Sequence, residues 1–298
     1  MTDKATESSS EILRQVRRIE IKTRGLSNDI FAGKYHSAFK GRGMAFSEVR
    51  EYRMGDDVRD IDWNVTARSM KPHIKVYEEE RELTMMLLVD VSGSRMFGTT
   101  DRLKKNTITE IAAVLAFSAA QNNDKVGCIF FSDRVEKFIP PKKGRSHVLT
   151  IIKELIGFRP ESEGTDLAEG LRCLTNVLKK RSTAFVLSDF LDTTGDRADF
   201  EDALKIASGK HDLVGIRVYD RRETEMPDVG IVELSDAETG ERMWVDTSSK
   251  AVRDHYASSW RHTESVVEAA LRRSRVDSVA VATGEDYVAS LMKLFRRR

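Results

Sequence analysis

The sequence predicts an α/β fold in which helices cover both faces of a doubly wound, mostly parallel sheet of the Rossmann type. Several apolar runs are continuous rather than alternating, which is typical of strands buried on both faces. Helical apolar patterns separate these runs, and strands that alternate with helices form parallel sheets. The predicted strands are 84–90, 126–132, 183–189 and 213–219, and the predicted helices are about 103–120, 146–156, 167–180 and 200–208.

Two segments precede the predicted sheet domain in the sequence. Residues 1–32 read as a polar tail and an amphipathic helix, and 33–82 as a charged extension whose fold the pattern leaves open. The main domain is predicted at 83–220. In it, residues 135–139 form a short strand that Pro140 and Pro141 end.

The alternation of buried strands and helices ends after residue 220. Residues 221–274 read as an excursion made of a hairpin, with its turn near 237–240, and a helix over about 251–273. A last strand at 278–282 and a basic helix, within 275–298, are predicted to rejoin the main sheet.

Composition excludes several classes of protein. The 49 basic and 48 acidic residues nearly cancel, so no bulk field favours nucleic acid or anionic lipid. The first residues lack the apolar core of a secretory signal, and no apolar run approaches the roughly 20 residues of a membrane span. We therefore expect a cytoplasmic protein, with Cys128 and Cys173 as buried free thiols.

Oxygen-bearing side chains follow the first buried strand, in the sequence Asp90-Val-Ser92-Gly-Ser94. In an open parallel sheet, ligands bind beyond the carboxyl ends of the strands. Thr165 lies in the Glu-Gly-Thr-Asp sequence at 163–166, and Asp189 ends a later strand. Hard oxygen ligands of this kind suit Mg²⁺, or Mn²⁺ in its place. The predicted metal ligands are Asp90, Ser92, Ser94, Thr165 and Asp189.

A simpler interpretation makes these hydroxyls helix caps. In it, Ser92 and Ser94 cap the helix that follows them and Thr165 caps another. Capping explains each hydroxyl separately, but it does not explain why three loops carry such residues in this order.

This set resembles the metal-ion-dependent adhesion site of von Willebrand factor A domains. The resemblance implies that Asp90, Ser92 and Ser94 form the first loop, Thr165 the second and Asp189 the third. It also implies that a partner's carboxylate completes the shell of a cation that hydroxyl ligands leave only partly neutralised. Arg95, directly after the loop, either competes with the cation or grips that carboxylate, and Asp166 is a second expected partner contact.

A second resemblance covers most of the chain. It is to the bacterial family called domain of unknown function 58, through residues 41–43, 46–52, 55–59, 61–64 and 73–81, and through FSDRV, PPKKGRSH, GTDL and LSDFLD. That resemblance implies a partner, a MoxR-type AAA+ ATPase with a client protein, and a role in complex assembly, chaperone-like remodelling or metal insertion.

Other signals are read as structural. The acidic residues 56, 57, 60 and 62 alternate with arginines, which favours an ion-pair network over a second metal site, and Trp63 is read as a core anchor. No P-loop occurs in the sequence, and no catalytic residue or organic cofactor is predicted.

The function predicted is therefore a metal-dependent protein-interaction module rather than an enzyme. Two alternatives stay open: a metal-assisted hydrolase with Asp166 or Asp192 as general base, and a metal-free scaffold.

Overall fold

The computed structural model describes residues 9–26, 45–78, 83–98, 103–195, 197–235 and 240–298. The chain divides into two compact units, residues 40–83 and the remainder, and each is described by itself. The helices are α1 (Ser9–Leu26), α2 (Trp63–Ser69), α3 (Lys104–Gln121), α4 (Arg145–Gly157), α5 (Leu167–Val177), α6 (Glu201–Lys210), α7 (Arg221–Thr224), α8 (Lys250–Arg273) and α9 (Tyr287–Arg297). The strands are β1 (Ala45–Glu51), β2 (His73–Glu78), β3 (Thr84–Asp90), β4 (Lys125–Phe131), β5 (Val135–Lys142), β6 (Thr183–Ser188), β7 (Thr193–Thr194), β8 (Arg197–Ala198), β9 (Asp212–Tyr219), β10 (Ile231–Ser235), β11 (Arg242–Asp246) and β12 (Asp277–Ala282).

The larger unit is built on a six-stranded sheet with the order β12-β9-β6-β3-β4-β5. Every neighbouring pair is parallel except β4 and β5. From β3 the chain goes to β4 on one side, and it later returns to β6 on the other side. The order therefore reverses at β3, which makes the carboxyl edge of β3 and β6 a topological switch point. The predicted fold class is confirmed.

Helices pack on both faces of this sheet, which explains why the strands are apolar throughout. Helices α5, α6 and α8 cover one face, where their residues share a core with alternate residues of β3, β4 and β6. Helices α3 and α4 cover the other face, and Phe295 of α9 packs edge-on against Phe185 there. Residues 85–89 of β3 are completely buried between the two layers.

Helix α1 belongs to this unit. It packs on α3 and α4, where Lys22 pairs with Glu110 and Glu20 with Arg145. Helix α3 is buried over most of its length, and α1 covers part of its outer side. Its first residue, Lys104, is also buried.

The prediction that the prolines end the strand at 139 is wrong, because β5 continues through Pro140 and Pro141 to Lys142. Proline is tolerated in β5 because this strand lies at the edge of the sheet, and because the pairing has a bulge there. Both prolines lie opposite Gly127 alone, between the pairs Val126–Lys142 and Cys128–Ile139. A Cβ on Gly127 would lie 2.6 Å from Met86 Sδ and 3.0 Å from the Ile139 carbonyl oxygen, so the bulge requires glycine.

The predicted excursion is present. Strands β10 and β11 form an antiparallel hairpin, and β12 then joins the main sheet beside β9. Helix α8 buries Val266, Val267, Ala270 and Leu271 in the same core as α5 and α6. The helix of the excursion is therefore part of the larger unit's core.

The unit at 40–83 contains the antiparallel pair β1–β2, with α2 between the two strands in the chain. As predicted, its charges pair: Arg50 holds Asp56 through two bonds of 2.8 Å, and Arg59 contacts Asp57 at 3.2 Å. The prediction for Trp63 is wrong, because 70% of this residue is exposed. It begins a two-turn helix with no buried residue, so its side chain lies on an element that contributes nothing to a core.

None of the helices among the described residues combines the length and the apolar character that crossing a bilayer requires.

A candidate cation site at the carboxyl edge of the sheet

Asp90 is a buried carboxylate at the end of the central strand β3. Its Oδ1 accepts the backbone N–H of Ser92 at 2.9 Å, and its Oδ2 accepts the Ser188 hydroxyl at 2.6 Å. Burial raises the pKa of Asp90 to about 6, and the negative charge of Asp189 adds to that shift. The end of β6 therefore brings a second carboxylate close to Asp90, as the order of strands predicts.

The serines of the first loop lie beside this carboxylate. The Oγ atoms of Ser92 and Ser94 are 3.2 Å apart, and a short 3-10 turn at Gly93–Met96 follows Ser92. Ser92 makes no side-chain capping bond to that turn. Helix α3, the next helix along the chain, has Leu103 at its N-cap position. The capping interpretation is therefore wrong for these two serines.

The loop that carries Thr165 packs against the first loop. The N–H of Gly93 donates to the Glu163 carbonyl at 2.9 Å, and the N–H of Asp166 donates to Ser132 at the same distance. Asp166, not Thr165, is the N-cap of α5, because its Oδ1 accepts from the N–H groups of Ala168 and Glu169. Thr165 is partly buried between these anchored residues.

Asp189 is buried and already has a cation beside it. Its Oδ2 lies 2.8 Å from Lys104 Nζ, and its Oδ1 accepts the N–H of Leu191 at 3.2 Å. Lys104 is 1% exposed, and its Nζ also lies 2.5 Å from Glu223 Oε1. Burial alone would lower the pKa of Lys104, but the charges of Asp189 and Glu223 outweigh it and the pKa is raised.

Lys104 is a residue of the site that the local sequence pattern does not reveal. In the sequence, Lys104 is one of two adjacent lysines at the start of a helix, and nothing in the local pattern separates it from Lys105. Its partners are 85 and 119 residues away along the chain, so only the tertiary structure brings them together.

Arg95 is buried rather than presented to a partner. It is 5% exposed and donates from Nη2 to the Phe158 carbonyl at 2.7 Å. Among the described residues, nothing accepts a hydrogen bond from its Nε or Nη1. Burial lowers its pKa to about 10, although the charges of Asp90 and Glu136 oppose this. Arg95 therefore places a buried charge near Asp90, whereas 40% of the Asp166 side chain is exposed.

These residues fit a divalent cation in their chemistry. Asp90, Ser92 and Ser94 provide one carboxylate and two hydroxyls in a single short loop, and magnesium prefers such hard oxygen ligands. The two buried carboxylates also repel each other, which a cation would relieve. Asp189 is the exception, because Lys104 shares it. Within the described ranges, no group of three or more His, Cys, Asp and Glu residues could hold a metal, so hydroxyls must complete any ligand set here.

Relatives of the chain are found among bacterial proteins. An uncharacterized protein of Mycobacterium tuberculosis is 28% identical over 287 residues, which is 95% of this chain and 88% of that protein. The crystal structure of the conserved hypothetical protein BatB from Bacteroides thetaiotaomicron is similar with a TM-score of 0.46 and 14% identity, over 72% of this chain and 98% of that one. A von Willebrand factor type A structure from Catenulispora acidiphila has a TM-score of 0.39 and 13% identity, over 72% and 41%. The family model described as protein of unknown function DUF58 matches residues 48–266, and the chain belongs to that family.

Proposed function

We propose that this chain is a protein-interaction module whose binding depends on a divalent cation, Mg²⁺ or Mn²⁺. The observation that carries this proposal is the meeting of three loops at the switch point of the sheet, with Asp90 and Asp189 buried close together. The ligands would be Asp90, Ser92, Ser94, Thr165 and Asp189. A cation held by hydroxyls and few carboxylates keeps positive charge, so a partner's carboxylate can complete its shell.

The residues around the loops support this role by fixing their geometry. The Ser188 hydroxyl orients Asp90, and the bond from Gly93 to Glu163 fixes the first loop against the second. A site held in this way does not have to be ordered when the partner binds, and such preorganisation favours affinity.

The partner we propose is a MoxR-type AAA+ ATPase, acting with a client protein in the cytoplasm. Family membership supports this partner, through the signature segments noted in the sequence. The work done would be complex assembly, chaperone-like remodelling or metal insertion.

Each of the two candidate general bases has a structural role through one of its two carboxylate oxygens. A general base needs a carboxylate that is free to take a proton from water. Asp166 accepts two N–H groups at the start of α5, and Asp192 Oδ2 accepts the N–H of Leu167 at 2.9 Å. Both carboxylates therefore hold the end of a helix.

One observation favours a second candidate, a metal-free scaffold. Lys104 already neutralises Asp189 at 2.8 Å, so the edge of the sheet has a cation of its own. In this case the partner would bind the same edge without a metal.

An Asp90→Asn variant tests the proposal, because it removes a charged ligand and keeps the size of the side chain. An AAA+ ATPase itself uses Mg²⁺, so the two purified proteins are compared at one fixed Mg²⁺ concentration rather than with a chelator. We expect Asp90→Asn to lose Mn²⁺ binding in calorimetry and to lose association with the ATPase.

The matched control is Asp133→Asn, which changes a carboxylate of a neighbouring loop that contacts Arg134 and Ser162 instead. It should retain both activities. Loss of Mn²⁺ binding with unchanged ATPase association in Asp90→Asn would favour the metal-free scaffold, and loss of both in Asp133→Asn would show a general loop defect.

A further inference from the structure

Lys104 is a buried cation between two carboxylates that belong to different parts of the chain. Its Nζ contacts Asp189 Oδ2 at 2.8 Å and Glu223 Oε1 at 2.5 Å, and its side chain is 1% exposed. A buried ammonium that loses its partners is strongly destabilising. Lys104 therefore needs at least one of these two carboxylates at all times.

A divalent cation at Asp189 and the Lys104 ammonium compete for one carboxylate, whose Oδ2 bonds Lys104 and whose Oδ1 accepts the N–H of Leu191. If both approached Asp189 together, their positive charges would repel at short distance in a buried site. Glu223 removes this conflict, because it is a second carboxylate already within bonding distance of Lys104. The lysine can give up Asp189 and stay paired.

We propose that Lys104 is a tethered cation that holds Asp189 while no metal is bound, and that metal binding transfers it to Glu223. This inference rests on the proposed function in one respect, the assignment of Asp189 as a metal ligand. Lys104 then sets how tightly the site binds its cation, and Glu223 opposes that restraint by drawing Lys104 away.

The surroundings of Glu223 give this transfer a route to the rest of the fold. Glu223 lies in α7, and its Oε2 accepts the N–H of Asp220 in a capping box at 2.8 Å. Asp220 in turn accepts the hydroxyl of Thr283, directly after β12, at 2.6 Å. These bonds link Glu223 to the residue that follows β9, where the chain enters the excursion, and to the residue that follows β12.

Two variants test the tether because they shift metal affinity in opposite directions. Glu223→Gln removes the alternative partner, so Lys104 is confined to Asp189 and Mn²⁺ should bind more weakly. The double variant Lys104→Met with Glu223→Gln removes one positive and one negative charge and frees Asp189, so Mn²⁺ should bind more tightly. We expect a change of at least about fivefold in Kd each way, the lower end of the range for coupled sites.

The matched control is Lys137→Met with Glu154→Gln, which removes an ion pair of 2.7 Å whose side chains are 40% and 37% exposed. Its Mn²⁺ affinity by calorimetry should equal that of the wild type. Circular dichroism and a thermal melt check that each variant is folded, and Glu223→Gln alone decides the test if the double variant does not fold.

The outcomes separate this inference from the proposed function. Unchanged affinity in Glu223→Gln and in the double variant, with Mn²⁺ binding to the wild type, overturns the tether and leaves the proposed function standing. Binding to the double variant but not to the wild type supports the tether and overturns the metal dependence of the natural chain. Absence of binding to all three proteins overturns both.

Discussion

At the scale of single residues, the candidate site contains a buried carboxylate, Asp90, whose ionisation destabilises the folded chain. Asp90 accepts bonds from Ser92 and Ser188, yet burial and the nearby Asp189 still raise its pKa to about 6. Ordinary carboxylates in a folded core are paired or absent. A carboxylate kept at this position in spite of its cost is what a ligand-binding site requires.

The free-energy cost of ionising the buried Asp90 carboxyl predicts how the stability of the metal-free protein responds to Asp90→Asn. Because the pKa of Asp90 is higher in the folded state than in the unfolded state, its contribution to stability is complete below pH 4 and is lost as pH rises through about 6. Relative to the wild type, the variant should therefore gain on the order of 1–3 kcal/mol in free energy of unfolding between pH 4 and pH 8. Urea unfolding of both proteins at several pH values, in the presence of a chelator, measures this difference in free energy.

Asp133→Asn is the control for this prediction, and it should behave in the opposite way. The hydrogen bond from Arg134 lowers the pKa of Asp133 most, and that from Ser162 lowers it further. Removing this carboxylate should therefore reduce the free energy of unfolding at pH 8. If Asp90→Asn instead becomes steadily less stable than the wild type from pH 4 to pH 8, then folding does not raise the pKa of Asp90.

At the scale of elements, the larger unit depends on contacts that fasten the excursion helix to the sheet layer. Glu201, at the start of α6, accepts two bonds from Arg273 of α8 at 2.9 and 2.8 Å, and Lys205 contacts it at 2.8 Å. The Arg273 guanidinium, with Lys205, lowers the pKa of Glu201 to about 2. This bidentate pair joins two helices whose apolar residues share one core.

Glu201→Gln should therefore destabilise the protein in a pH-dependent way. A depressed pKa gives stability that is present above the ordinary pKa near 4.5 and is lost as pH falls toward 2. We expect a loss of roughly 1–3 kcal/mol at pH 7, typical of hydrogen bonds to charged groups, and a smaller loss at pH 3. Thermal unfolding at the two pH values measures this.

The neighbouring Asp202 provides the matched control. Its side chain is 68% exposed and pairs with Arg197 and Lys205 at the surface, where ion pairs contribute little. Asp202→Asn should change the unfolding free energy by less than about 0.5 kcal/mol at both pH values. Equal effects of the two substitutions would mean that the bond between Glu201 and Arg273 of α8 does not contribute to the free energy of unfolding.

At the scale of the whole molecule, any cation that binds only the folded chain must also stabilise it. Two loops of the site follow β3 and β6, which are adjacent only in the assembled sheet, and the third is held to the first by the bond from Gly93 to Glu163, so the unfolded chain has no such site. Binding should then add about 2.7 kcal/mol to the free energy of unfolding at a ligand concentration of 100 Kd.

We therefore expect Mg²⁺ or Mn²⁺ to raise the Tm of the wild-type protein by several degrees, in proportion to the logarithm of concentration at high occupancy. Asp90→Asn should show no such shift, and Asp133→Asn should shift as the wild type does. An equal shift in wild type and Asp90→Asn would place the cation elsewhere.

Local sequence pattern is sufficient to predict several elements of this protein. Continuous apolar runs located β3, β4, β6 and β9, and the turn signals located the hairpin β10–β11. Because strand ends share one edge in a parallel sheet, the sequence also predicts that Asp90 and Asp189 lie close together, as they do.

Tertiary structure alone decided how the charges at that edge are balanced. Lys104 pairs with residues 85 and 119 positions away, and Arg95 is buried against Phe158. It also decided that β5 continues through its prolines, because an edge position and the bulge opposite Gly127 remove the usual penalty. Periodicity reports which face of an element is apolar. Which distant charge lies against a buried group depends on how the elements pack, and no local pattern contains that information.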